Sequence, residues 1–221
     1  FTPTTDGTCT ISVAQNKFTD ASGNNNSASN DFTWIFDSTR PTMAITSSTV
    51  SSGSTSNDPI ISLTFTSSES TTNFVAGDVT ISGGTLSDFT GSGTTYSGIL
   101  TPSGDTTYTI SVAENTYTDS AGNNNSASND FTWTLDSTSP TMTITSASVS
   151  SGDTSNDSTI SLTFTSNEST TNFVEGDITL TNSSLSNFAG SGTTYTATLT
   201  PTTEGTCTVS VAANKLSLIH I

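Results

Sequence analysis

Residues 18–34 read FTDASGNNNSASNDFTW and residues 117–133 read YTDSAGNNNSASNDFTW, so the chain repeats itself at an offset of 99 positions. The offset holds without a gap: Thr2-Pro3, Thr101-Pro102 and Thr200-Pro201 align, as do Asp37 with Asp136, Pro41 with Pro140, Glu69 with Glu168 and Tyr96 with Tyr195. Self-similarity at a fixed period marks an array of one folding unit. A unit of this length exceeds the roughly 20–50 residues of solenoid repeats and suits a small domain with its own core. On that period the chain holds the end of one repeat (1–36), a complete repeat (37–135) and most of a third (136–215). Residues 216–221, LSLIHI, abandon the repeat and are expected to be a non-native, adapter-derived tail, which carries the single histidine, His220.

The chain is 30% apolar and 10% charged, and its net charge of −16 sets 19 acids against Lys17, Arg40 and Lys215. Three cations cannot neutralise a phosphate backbone, which argues against nucleic acid and anionic membranes as partners. Disorder, the other reading of such a composition, fails because the apolar residues alternate. In the complete repeat the runs are Met43, Ile45; Ile61, Leu63, Phe65; Val79, Ile81; Tyr96, Gly98, Leu100; Tyr108, Ile110, Val112; and Phe131, Trp133, Leu135. Period-two alternation is the mark of half-buried strands. Turn clusters separate them: SSGSTSND (51–58), SGGT (82–85), GSG (91–93), PSGD (102–105) and SAGNNN (120–125). The expected fold is therefore all-β: tandem immunoglobulin-like sandwiches of about seven strands. Trp34 and Trp133 fall on the last strand rather than the third, so the Cys, Trp, Cys signature of antibody domains is missing. Cys9 and Cys207 share the column of Tyr108 and are expected to be buried free thiols. Since 1–36 supplies two strands and 136–215 lacks the seventh, 37–135 is expected to be the only autonomously stable unit.

In such a sandwich the lead-in segment, the loop between strands two and three and the loop between strands six and seven share one pole. That pole collects Asp37, Glu69, Asp78, Asp119, Asn123 and Asp130, while Asp58 and Asp105 lie at the other, from which the chain runs to Asp136 and the next repeat's Glu168 and Asp177. Converging like charges are costly unless a cation neutralises them. Oxygen-only ligands, with no His or Cys at hand, select Ca2+. The plainer alternative is a set of solvated acids that keep a β-array soluble. Recurrence favours the cation: Asp20 with Asp119, Asp31 with Asp130, Asp58 with Asp157, and Asp6, Asp105 and Glu204 stay acidic while their neighbours drift.

The order Asp-Ser-Thr-x-Pro-Thr (37–42, 136–141), Leu-Thr-Phe-Thr-Ser-x-Glu (63–69, 162–168), Phe-Val-x-Gly-Asp (74–78, 173–177), Leu-Ser-x-Phe-x-Gly-Ser-Gly-Thr-Thr-Tyr (86–96, 185–195) and Thr-Asp-x-x-Gly-Asn (118–123) resembles the bacterial Ig-like repeats of very large secreted adhesins. The resemblance covers residues 1–215. It implies an extracellular or cell-surface protein in which strings of beads, often stiffened by calcium at poles or linkers, hold a terminal binding domain away from the cell. It assigns the lead-in ligand to Asp37 and Asp136, and the loop ligands to Asp20, Asn24, Asp119 and Asn123. Glu69 and Glu168 are added on geometry.

Catalysis has little to stand on, with no Ser/His/Asp set, Cys/His pair or phosphate loop. The leading expectation is a passive spacer whose partners are neighbouring repeats of the same chain, joined by short linkers such as Asp136-Ser-Thr-Ser-Pro140. Thr106 to Tyr117, at about 3.3 Å per residue, would span roughly 40 Å. The alternatives are an adhesion module whose Asn-rich loop, 119–129, takes a surface glycan or protein, and an accessory module of a secreted enzyme.

Overall fold

A computed structural model describes residues 1–216, in two compact units, Phe1–Asp136 and the chain from Ser137 onward.

The first unit opens with a hairpin of β1 (Gly7–Ile11) and β2 (Phe32–Phe36), followed by the complete repeat: β3 (Met43–Ser47), β4 (Ser54–Ser56), β5 (Ile61–Thr71), β6 (Val79–Ile81), β7 (Thr85–Thr101), β8 (Thr106–Val112) and β9 (Phe131–Leu135). These seven strands form two sheets, β3-β5-β7 and β4-β9-β8-β6. Alternation does the sorting: along β5 Ile61, Leu63 and Phe65 are buried while Ser62 and Thr66 face water. The inward residues of both sheets make one core, in which Met43, Ile45, Leu63 and Phe65 meet Tyr108, Ile110, Phe131 and Trp133. Burying each large side chain contributes about 1.5–3 kcal/mol, the force that closes the sandwich.

The structure departs from the sequence reading at two turn clusters. Within 51–58 the chain turns at Gly53 but then forms β4, which runs parallel to β9 with Ser54 opposite Trp133. Ser56 there accepts the Trp133 indole N–H at 2.9 Å and donates to Asp58 at 2.7 Å. A buried Trp needs a partner for its N–H, and a run of serines and threonines supplies it without any apolar signature. At the second, Gly91-Ser92-Gly93, the chain reverses as expected, but the stretch before it, from Thr85, is strand as well and is continuous with the expected run at 96–100 in β7. A Cβ on Gly98 would sit 2.8 Å from Leu86, and one on Gly91 (φ 143°) would collide with the Thr95 carbonyl.

The long loop from β8 to β9 is folded around Asn125, which is fully buried. Its Oδ1 accepts from the N–H groups of Thr116 (2.8 Å) and Tyr117 (3.0 Å), and its Nδ2 donates to the carbonyls of Ala113 (2.8 Å) and Ser126 (2.9 Å). Asn26 makes the same four bonds in the first copy, to Lys17, Phe18, Ala14 and Ser27. The loop therefore folds on local hydrogen bonds, even where its hairpin leaves Phe32 65% and Ile35 77% exposed.

The second unit has β10 (Met142–Ser146), β11 (Ile160–Thr170), β12 (Ile178–Thr181), β13 (Ser183–Pro201) and β14 (Thr208–Val211), in sheets β10-β11-β13 and β12-β14. Among the described residues it has no counterpart of β4 or β9. Those two strands pair with each other in the complete repeat, so the loss of one removes the other's ladder. Leu216, assigned on sequence to the tail, stands in the column of Tyr117 and packs against the second core; the rest of that tail lies outside the described residues. Cys9 and Cys207 are free but half-buried rather than buried. Tyr108, in the same column, is fully buried because β9 and the facing sheet cover it.

Asn125→Ala strands buried N–H and C=O groups and is expected to destabilise the first unit by about 2 kcal/mol or more. Asn26→Ala, at the exposed copy, should cost less than about 1 kcal/mol. Urea midpoints of the two variants of the full chain check this, and equal shifts would contradict it.

Candidate metal centre

Three segments bring carboxylates together at one pole of the complete repeat. A carboxylate oxygen of each of Asp37, Glu69 and Asp119 lies within 4.8 Å of the other two. Asp37 follows β2 at the start of the lead-in segment. Glu69 is pushed out by an irregularity in the ladder: between Thr66↔Thr95 and Thr71↔Gly93, β5 advances five residues while β7 advances two. The extra residues bulge from the sheet and carry Glu69 toward the pole.

Asp119, only 6% exposed, is placed by its own loop. Its Oδ1 accepts from the N–H groups of Ala121 (2.9 Å), Gly122 (2.7 Å) and Asn123 (2.9 Å), and its Oδ2 accepts from Asn123 Nδ2 (3.0 Å). This local closure explains the Asp-x-x-Gly-Asn spacing, since Gly122 sits at φ 98°, which disfavours any side chain. Asn123 Nδ2 also donates to the Asp37 carbonyl at 3.1 Å, fastening loop to lead-in segment. The first copy reproduces the closure at Asp20, which accepts from the backbone N–H groups of Ser22 and Asn24 at 2.9 Å each and from Asn24 Nδ2 at 2.9 Å.

The electrostatics of the group are one-sided. Burial pushes the Glu69 carboxyl up, and the charges of Asp37 and Asp119, a hydrogen bond with Asp119 and the charge of Asp6 push it the same way. For Asp119 burial also works against the charged form, but the hydrogen bonds from the side chain and backbone of Asn123 and from Gly122 and Ala121 outweigh it and hold the carboxyl below its ordinary range. Arg40, three residues from Asp37, offers no relief. Its guanidinium is directed to the carbonyls of Asn124 (2.9 Å) and Asn125 (2.6 Å), to Asn115 Oδ1 (3.1 Å) and to Glu114 (3.4 Å).

The other residues singled out on sequence are placed elsewhere. Asp78 accepts the Val75 N–H (2.9 Å) and closes a 3-10 turn, Ala76–Asp78. Asp177 does the same for Val174 (3.0 Å) and pairs with Lys215 at 3.8 Å. Asp105 is an exposed turn residue ahead of β8. In the second repeat Glu168 accepts from Asn167 at 3.0 Å, and its other oxygen is buried without a hydrogen-bond partner. Leu218 occupies the column of Asp119 there and lies outside the described residues, so neither Glu168 nor Asp136 acquires the loop acid. For Asp20 and Asn24 the columns of Asp37 and Glu69 fall before residue 1. Among the described residues only the repeat 37–135 assembles the set.

The donor chemistry fits a hard cation. Oxygens that share one Ca2+ at about 2.3–2.6 Å lie at most about 5 Å apart, and the three carboxylates meet that limit with oxygen ligands only.

The opposed shifts of Glu69 and Asp119 predict opposite pH profiles in metal-free protein. A raised folded value means that Glu69 contributes stability below about pH 4.3 and loses it as the pH rises through that raised value. Asp119, with its value depressed, contributes above about pH 3.9 and loses the contribution as the pH falls through its folded value. In chelator Glu69→Gln should therefore be more stable than the parent chain at pH 7 and equal to it near pH 4, whereas Asp119→Asn should be less stable at pH 7. Thermal melts across pH 3–8 test both signs.

A family model for the bacterial Ig-like domain matches residues 37–135 and again 136–218, each match opening on a lead-in aspartate. No curated protein matches the chain. With two matches that together cover most of its length, in tandem and over the sandwich and its pole, the chain belongs to the bacterial Ig-like domain family.

Proposed function

We propose that this chain is a stretch of spacer from a large extracellular, adhesin-like protein, and that Ca2+ held by Asp37, Glu69 and Asp119 stiffens each complete repeat at the pole where the preceding one joins it. The family supports an extracellular repeat of structural or adhesion type. Among the described residues no helix is long and apolar enough to cross a membrane. The observation that carries the calcium reading is the convergence of three acids from three separate segments on a point where every charge acting on Glu69 is negative. Asn123 orients Asp119 and the lead-in segment around that point. Function then lies in length and stiffness, with no chemical step.

The glycan-binding alternative draws less support. The amides of Asn123 and Asn125 are engaged inside the repeat, and a ligand site also wants apolar or aromatic anchors. A glycan array probed with the full chain is expected to be blank; selective, saturable binding would reverse the order of the two readings.

Calcium titration of the full chain tests the leading one. Affinity of about 10⁻⁴–10⁻³ M is expected for an extracellular module. At tenfold excess over Kd the first unit should gain about 1.4 kcal/mol, seen as a higher melting temperature that chelator reverses. Glu69→Gln and Asp119→Asn should each abolish that gain. A melting temperature indifferent to calcium and chelator alike would leave the acids as solubilising charges.

A further inference from the structure

The lead-in segment, residues 37–42, is tied on two sides. Asp37, Arg40, Pro41 and Thr42 bond to the repeat that follows. The Asp37 carbonyl accepts from Asn123 Nδ2 (3.1 Å), and Arg40 reaches the carbonyls of Asn124 and Asn125 at 2.9 and 2.6 Å. The Pro41 carbonyl accepts the Ser126 N–H (3.0 Å), and Thr42 exchanges bonds with Ser68 (2.9 Å each). Ser38 and Thr39 bond instead to the repeat before. Asp6, in the turn ahead of β1, accepts from the Ser38 N–H (3.0 Å) and Oγ (2.7 Å) with Oδ1, and from Thr39 Oγ1 (2.6 Å) with Oδ2.

We infer that the turn acid ahead of β1 is a docking point for the next repeat: Asp6 latches consecutive beads by capping the Ser38-Thr39 step, without a metal ion. The surface is one carboxylate with both oxygens in use, and the partner it fits is a following repeat whose lead-in segment presents two adjacent hydroxyl residues and a free backbone N–H. Hydrogen bonds to an ionised acceptor are the short, strong ones, and those from Thr39 and Ser38 hold the Asp6 carboxyl below its ordinary range. The residue types recur one period on, with Asp105 in the column of Asp6 and Ser137-Thr138 in that of Ser38-Thr39. A link running from 37 to 42 between β2 and β3 would otherwise act as a hinge; here each of its residues is held by one neighbour or the other. The latch serves the spacer reading but does not depend on calcium.

Amide hydrogen exchange on the full chain in chelator tests it. The Ser38 N–H should be protected in the parent chain, and in Asp6→Ala its exchange should quicken by roughly tenfold or more. The Thr116 and Tyr117 amides, held by Asn125, should stay unchanged and report an intact fold. Equal Ser38 exchange in the two proteins, or protection that appears only when calcium is added, would overturn the latch. If calcium alters no amide while Ser38 still depends on Asp6, the calcium reading fails and the latch stands.

Discussion

A single buried amide, that of Asn125, organises the acidic pole of this repeat. Its four hydrogen bonds close the loop between β8 and β9. The closed loop presents Asp119 and Asn123 on one side and the Asn124 and Asn125 carbonyls on the other. The first pair builds the acid group, and the second receives Arg40 from the lead-in segment. A buried amide that left any of these bonds unmade would cost the stability it now provides, so the loop has little freedom to present its ligands elsewhere. Site and linker are thus two readouts of one folded loop.

The pole is built against electrostatics. Glu69, Asp37 and Asp119 converge with Asp6 close enough to add to the repulsion, while the neighbouring Arg40 neutralises carbonyl dipoles and Glu114 instead. A proton on Glu69 or a hard cation among the oxygens would relieve such a cluster. Preorganisation is uneven across the group. Asp119 is fixed by its own backbone and needs nothing from the rest of the repeat, as the equivalent closure at Asp20 shows. Glu69 is fixed by the sheet, through a bulge that only a complete β5–β7 ladder produces.

At the junction, the hydroxyls of Ser38 and Thr39 and the Ser38 backbone N–H face the previous repeat's acid, while the residues flanking them face the next repeat. On the proposed latch, an array with this division of contacts resists bending at its links even though the links are short and polar.

The sequence by itself determined the period, the all-β class, the apolar strands and the pool of acids from which the pole draws. Alternation and turn chemistry are local, and they read directly from residues such as Ile61, Leu63 and Phe65 or the Asp119 to Asn123 closure. Tertiary structure alone decided which acids meet. Asp78 and Asp177 share the loop with their glutamates in sequence, yet each turns back to cap its own 3-10 turn. It also decided that polar Ser54–Ser56 is a strand, because its value lies in the Trp133 N–H across the sheet. The role of Arg40 left no trace for the same reason, and Asp6 read on sequence only as one more recurring acid, its partners Ser38 and Thr39 unseen. A hydrogen bond spanning 32 or 85 positions leaves no periodic trace in the chain; the pairing of Gly7 with Phe36 sets the ends of the first side by side, and the folded repeat those of the second.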